Sequence, residues 1–269
     1  MIFLTLLLST FREAFAKKIF IGFFAISSFV ILMFLLFVNL DSVEGTVDMM
    51  ESSGEEGIKQ ILIGIEVLML SLSYIPIITF CYISVSSFIP SMLEKGNIDL
   101  LLSKPVSRAK IIIAKFIGGV LFIFVSLAYL LGSIWLILSI KSGYWHYEFL
   151  YSIFWFTLSF AVIYSLIILI GLLSQSTILS IIVSFFITIF CGILANREST
   201  IFSFVNSDVI KFIINFIYYI LPKPTDINNI AMNIITGDSI KSYMPVYSSL
   251  LFMLVALSIS IFYFKKKDY

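Results

Sequence analysis

Six apolar stretches, each long enough to cross a bilayer, decide most of what this chain can fold into. A hydrocarbon core about 30 Å thick is crossed by roughly 20 apolar residues in helical form, and such windows fall at approximately residues 19–40, 61–90, 111–140, 149–173, 177–195 and 246–264. Within hydrocarbon every backbone N–H and C=O needs a partner, and a helix supplies them from its own turns. Composition agrees: 60% of the 269 residues are hydrophobic and 12% charged, and the mean hydropathy is +1.10. That leaves too little polar surface to solvate a globular domain of this size. The expected fold class is all-α: one polytopic membrane domain over residues 1–269 with six transmembrane helices.

The basic residues orient the chain, because Lys and Arg near span ends are retained on the cytoplasmic side. With the N-terminus inside, the cytoplasmic segments hold Arg12, Lys17, Lys18, Lys95, Lys104, Arg108, Lys110, Lys115, Lys265, Lys266 and Lys267, most of the 17 basic residues. Lys59, Lys141, Arg197, Lys211, Lys223 and Lys241 are spread thinly over the outer segments. Asp41, Glu44, Asp48, Glu51, Glu55 and Glu56 crowd the first outer loop. A multi-pass protein of the plasma membrane with both termini cytoplasmic is expected. The formal charge of +1 hides this asymmetry, and no basic block suggests a nucleic-acid partner.

Ahead of the first span, Ile2, Leu4, Leu8, Phe11 and Phe15 recur at helical spacing beside Arg12, Lys17 and Lys18. This pattern predicts an interfacial helix over 1–18 on the inner leaflet, with a simple extension of the first span as the alternative. MIFLTLLLST lacks a charged region before its apolar run, so no signal peptide is expected. Cys81 and Cys191 both fall inside spans without metal-ligand spacing and read as small apolar fillers.

Several spans carry marks of packing. Pro76 removes a backbone donor and predicts a kink in the second span, with serines nearby to satisfy freed groups. Gly118 and Gly119 permit close helix approach in the third. Tyr144, Trp145, Tyr147, Tyr151 and Trp155 gather at an outer turn, as Tyr and Trp do at headgroup level. His146 stands among them with no second His and no adjacent carboxylate pair, which reads as an interfacial hydrogen-bonding residue, not a metal or proton site. Glu66, inside the second span, is costly there at roughly 2.5 to 3.5 kcal/mol if buried and charged. No Lys or Arg occupies its helical neighbours Leu62, Ile63, Met69 and Leu70, so any partner comes from another span. Two readings of Glu66 stand: an interfacial or structural residue, whose cost vanishes if the helix starts a turn later, or a residue of a substrate path.

Residues 196–245 form the longest stretch outside the spans. Phe212, Ile213, Phe216, Ile217 and Ile220 keep helical period until LPKP ends the run, and a second helix is expected from a Thr225 cap to Gly237. Both are expected to lie on, or dip into, the outer leaflet as a lid. Phosphate-cradling, zinc-protease and nucleophile-elbow motifs are missing from the sequence. The nine Met residues form no ligand-spaced cluster, so no metal site is expected. The chain is expected not to be an enzyme, and any ATP to bind another chain.

The remaining feature is a charged island at 91–110 between the second and third spans. Asn97 is a suitable N-cap for a short helix from Ile98, Asp99 complements the dipole in its first turn, Pro105 ends it, and Ser107 caps the third span. Leu100, Leu101 and Leu102 are too apolar for water. They seek a hydrophobic groove, either the lipid, with the basic residues on anionic headgroups, or a soluble protein.

The string EKGNIDLLLSKPVSRAKIIIAKFIGG resembles the signature of type 2 ATP-binding-cassette (ABC) exporter permeases, through Glu94, Gly96, Asp99, Leu101, Leu102, Pro105, Arg108 and Lys115. FREAFAKKIF and YYILPKPTDINNIA are similar to what such permeases carry at those places. One departure is Asn97, where the family usually has Thr. The resemblance implies a permease subunit paired with a second permease copy or paralogue and with separate ATPase subunits that bind the ATP. It assigns the segment from Glu94 to Arg108 as a coupling helix in an ATPase groove. Glu94 and Arg108 would make polar contacts or brace the loop, Leu101 and Leu102 would fill the groove, and Lys115 would fix the third span at the inner leaflet. A Phe-rich interior tilts towards hydrophobic or amphipathic cargo. The rival readings are a non-transporting membrane scaffold that recruits a partner through the same loop and, behind it, a secondary transporter.

Overall fold

The computed structural model describes residues 2–16, 18–37, 44–103, 106–205, 207–240 and 242–267. Lys17, Asp41, Lys104, Pro105 and Lys241 lie outside the described residues. So do the side chains of Ile2, Leu4, Glu44, Asp48, Glu51, Glu55, Leu100, Leu101 and Leu102.

The described chain folds as helices: α1 (Ile2–Ala16), α2 (Ile19–Phe37), α3 (Glu44–Ser86), α4 (Phe88–Met92), α5 (Asn97–Leu102), α6 (Arg108–Ser142), a 3₁₀ turn (Tyr147–Leu150), α7 (Tyr151–Ser174), α8 (Thr177–Ala195), α9 (Ile201–Phe204), α10 (Asp208–Ile220), α11 (Pro224–Thr236) and α12 (Met244–Lys266). Six of these are long and apolar enough to cross a membrane, in the windows 19–36, 59–92, 108–142, 147–174, 177–195 and 244–266. The protein is an all-α, multi-pass membrane protein.

One boundary differs from expectation. α3 begins at Glu44, so the acidic segment expected as a loop is helical. Its Glu and Lys residues favour the helix, and the long apolar helix below nucleates it. α1 and α2 are separate helices: Lys18 adopts φ 56°, and its N–H bonds to the Phe15 carbonyl to close the turn.

α7 is the central column, packed against α3, α6, α8, α11 and α12. Its window is 72% buried, against 11% for α2 and 17% for α12, which lie at the periphery of the bundle. Phe156, Phe160, Tyr164, Ile168 and Leu172 are fully buried along it. The expected close approach at the two glycines of α6 is present, on two different partners. A Cβ on Gly119 would lie 2.5 Å from the Tyr164 ring, and one on Gly118 2.8 Å from Thr10 Cβ of α1. α1 therefore packs along α6 as well as preceding the first span.

α10 and α11 divide the work of the long segment. α10 stops at the LPKP sequence and leaves Phe212, Phe216, Tyr219 and Ile220 exposed. α11 is not a surface helix: Ile227, Ile230, Ala231 and Ile235 are buried, and it packs chiefly on α7 and α8. Thr225 is not its cap. Lys223 occupies that position and Pro224 opens the first turn, where its missing N–H costs nothing. Gly237 ends α11 in the left-handed conformation (φ 76°), as expected.

Candidate functional site

Polar groups concentrate at the two ends of the bundle. At one end the island meets both terminal helices. α5 begins one residue earlier than expected, and its N-cap is Gly96, at φ 91°, where only glycine sits without strain. Asn97 is thus not the cap. Its Nδ2–H donates instead to the Ser91 carbonyl at 2.9 Å, tying α5 back to α4. Glu94 and Asp99 are exposed, and neither enters an ion pair among the described residues. The residue that anchors α5 was missed: Ile98 is 5% exposed and joins the main core. The leucine triplet beside it drew the attention that a single Ile did not.

Ser107 caps α6 as expected, accepting from the Lys110 N–H at 3.4 Å. Next to it, the Arg108 guanidinium donates to the carbonyls of Phe264 (2.9 Å), Lys265 (3.3 Å) and Lys267 (2.6 Å), closing the C-terminus of α12. Two turns on, the Lys115 ammonium is buried and ion-paired with Glu13 of α1. The other Glu13 oxygen accepts from Ser91 Oγ at 2.6 Å, and Tyr164 Oη donates to the Lys115 carbonyl at 3.1 Å. One carboxylate therefore joins α1, α4 and α6, and the tyrosine adds α7. Of the eight island candidates, Lys115 and Arg108 enter this framework, Gly96 shapes α5, and Glu94 and Asp99 stay in solvent. Leu101 and Leu102 lie on α5 with their side chains outside the described ones, and Pro105 lies outside the described residues. Glu13 was not singled out because its partner is 102 residues away.

At the other end, Glu66 is fully buried, so the helix does not start late enough to spare it. His146 is also buried in the fold, at 3% exposure, and its Nδ1 lies 2.5 Å from Glu66 Oε2. Its Nε2 faces Glu148 Oε2 at 3.4 Å, and that carboxylate is half exposed. The imidazole thus stands between two carboxylates, which proximity in sequence could not reveal for Glu66. Its position is fixed from behind, where Trp135 Nε1–H donates to the His146 carbonyl at 2.8 Å. Because the carboxylates meet opposite ring nitrogens, they do not converge as metal ligands, and among the described residues no three His, Cys, Asp or Glu gather to hold an ion.

A second cluster secures the LPKP turn. The Arg197 guanidinium lies 3.6 Å from the Tyr218 ring and Nε donates to Asn215 Oδ1 at 2.7 Å. Tyr218 Oη donates to Asp226 Oδ2 at 2.9 Å, while the Lys223 ammonium, buried and 4.6 Å from the same ring, donates to Ser248 Oγ at 2.8 Å. Burial raises the Asp226 carboxyl above its usual range and lowers the Lys223 ammonium, and the charge of each draws the other part of the way back. These contacts hold α10, α11 and α12 together.

Six candidate spans thus frame a polar island that is built into the core. The chain belongs to the ABC-2 family transporter proteins, whose family model matches residues 4–269. It is thus a permease component of an ABC transporter, and the family generally works with an ABC ATPase subunit. None of the curated proteins compared with the chain matches it.

Proposed function

We propose that the chain is the permease subunit of an ATP-driven exporter, with α5 docked in a surface groove of a separate ATPase. On this reading both termini and α5 face the cytoplasm, and a second permease copy or paralogue completes the pathway. ATP binding draws the ATPases together and displaces α5. The observation that supports it most is the wiring of the island. Ile98 seats α5 in the core, Glu13 ties α1 to α4 and α6, and Arg108 grips the end of α12. A push on so short a helix is passed through these side chains to α1, α6, α7 and α12, while Glu94 and Asp99 are exposed to a partner.

The test is co-purification with the ATPase, followed by ATP turnover in lipid. Glu94→Lys combined with Asp99→Lys leaves every packed group in place, so insertion and thermal stability should be unchanged. Binding to the ATPase should fall roughly tenfold, about 1.4 kcal/mol, and stimulated turnover with it. Unchanged binding and turnover would overturn the coupling role and favour a non-transporting scaffold.

A further inference from the structure

We infer that Glu66, His146 and Glu148 form a proton-binding site that is loaded from solvent at their end of the bundle, with Glu148 as the entry group. The three side chains stand in a row. Glu66 Oε2 lies 2.5 Å from His146 Nδ1, and His146 Nε2 lies 3.4 Å from Glu148 Oε2. Glu66 and His146 are buried, whereas the Glu148 side chain is 55% exposed. The row therefore runs from water into a closed interior. The expectation of no proton role for His146 rested on the lack of an adjacent carboxylate pair, and the fold supplies that pair, one member from α3 and one from the 3₁₀ turn.

A count of protons shows why such a row responds to acid. Two electronegative atoms 2.5 Å apart need a hydrogen between them, so the inner gap holds one proton whichever atom carries it. Glu66 Oε1 is buried with no hydrogen-bond partner among the described residues, so that carboxyl depends on the shared proton alone. The outer gap differs. At 3.4 Å it is longer than a well-formed hydrogen bond, and without a proton it sets the Nε2 lone pair against a carboxylate oxygen. A second proton removes that opposition. It arrives from water at the Glu148 carboxylate and passes to Nε2, since imidazole is a stronger base than carboxylate. The resulting N–H then donates back to Glu148, and both gaps are bridged. This holds whether the inner proton rests on Nδ1 or on Glu66, so no charge state has to be chosen for the buried pair. The outer tie forms on proton uptake; it is present on the acid side and lost as pH rises.

The remaining titratable groups on the surrounding elements are engaged elsewhere or exposed. On α3, Lys59 and Glu56 are exposed, about two and three turns from Glu66. The turn packs on α6, α7 and α11. From α6, the Lys141 ammonium donates to the Leu35 carbonyl, and Tyr151 at the start of α7 is exposed. Asp226 of α11 accepts from Tyr218 Oη, and Asp238 beyond it accepts from Thr236 Oγ1. The Tyr144 ring lies 6.3 Å from the imidazole. No described Lys or Arg forms an ion pair with Glu66 or Glu148, so among the described groups only protons bridge the row. The ring cannot swing away to avoid the contact, because Trp135 Nε1–H holds the His146 carbonyl and Phe149 is buried one turn on.

The chain contains one histidine, so any imidazole signal comes from His146. The test uses the full chain, grown on ring-¹⁵N histidine and placed in lipid nanodiscs without an ATPase, so a failure here leaves the coupling proposal untouched. Between pH 9 and pH 5 the Nε2 signal should pass from the unprotonated to the protonated ¹⁵N position. Glu148→Gln, a change at an exposed side chain, should make that passage require about three- to tenfold more acid, because a half-exposed opposite charge beside Nε2 is lost. Glu148→Asp should restore part of the difference. In Glu66→Gln the neutral amide needs no shared proton, and the passage should no longer occur at the same pH. An Nε2 signal that stays constant over this range, or one that changes at the same pH in Glu148→Gln or in Glu66→Gln, would overturn the site.

Discussion

Glu13 and Glu66 are carboxylates on helices at opposite ends of one bundle, and their surroundings differ in a way that separates scaffold from binding chemistry. Glu13 has both oxygens engaged, one by the Lys115 ammonium and one by Ser91, and it retains some exposure. Glu66 is sealed from solvent with one oxygen engaged and one without a hydrogen-bond partner among the described residues. A satisfied buried pair resists removal of either member. A half-satisfied carboxylate does not, because its charge is already a liability to the fold. The first arrangement ties α1, α4 and α6 together; the second leaves one carboxylate oxygen unsatisfied among the described residues.

The sharpest way to break this contrast is to remove one partner at each end. Lys115→Met should cost about 3 kcal/mol by removing the ammonium from the part-buried Glu13 carboxylate, read as a drop in thermal midpoint in detergent. Adding Glu13→Gln should recover most of that loss. His146→Phe, which strips Glu66 of its only partner among the described residues, should cost about 2 kcal/mol by the same measurement. Gly119→Ala tests the packing that holds the scaffold end. The new methyl meets the Tyr164 ring, and a penalty of about 1–2 kcal/mol is expected. Tyr218→Phe, losing one bond to Asp226, should cost about 1 kcal/mol. Smallest of all, Glu66→Gln should change stability by less than about 0.5 kcal/mol, since lost pairing is offset by lost charge burial. If it proved as damaging as Lys115→Met, the two carboxylates would be alike and the contrast would collapse.

The six spans, the Ser107 cap, the Gly237 stop and the close approach at Gly118 and Gly119 were legible because each is a local property: an apolar window, a side chain three residues from an N–H, a missing Cβ. The pairs that make the two ends work were not. Glu66 and His146 are 80 residues apart, and Glu13 and Lys115 are 102. Periodicity along a helix reports only neighbours three and four positions away. Glu66 was recognisable as anomalous, and His146 as solitary, yet nothing local joined them. Ile98 was missed for the opposite reason: an adjacent triplet of leucines outweighed a single Ile whose side chain is buried. Thr225 and Asn97 were chosen as caps on side-chain preference, whereas backbone constraint decided both places, through Pro224 at one and the positive φ of Gly96 at the other.

The length of α3 has a practical use. At 43 residues it runs for roughly 65 Å, twice what a bilayer core occupies, so its first turns stand clear of the lipid like a mast. Glu56 and Lys59, both exposed, sit near its foot. Cys81 and Cys191 are both buried, which gives the chain a nearly silent background for thiol labelling. A single cysteine at position 56, probed on intact cells with a membrane-impermeant maleimide, reads directly which way the protein faces.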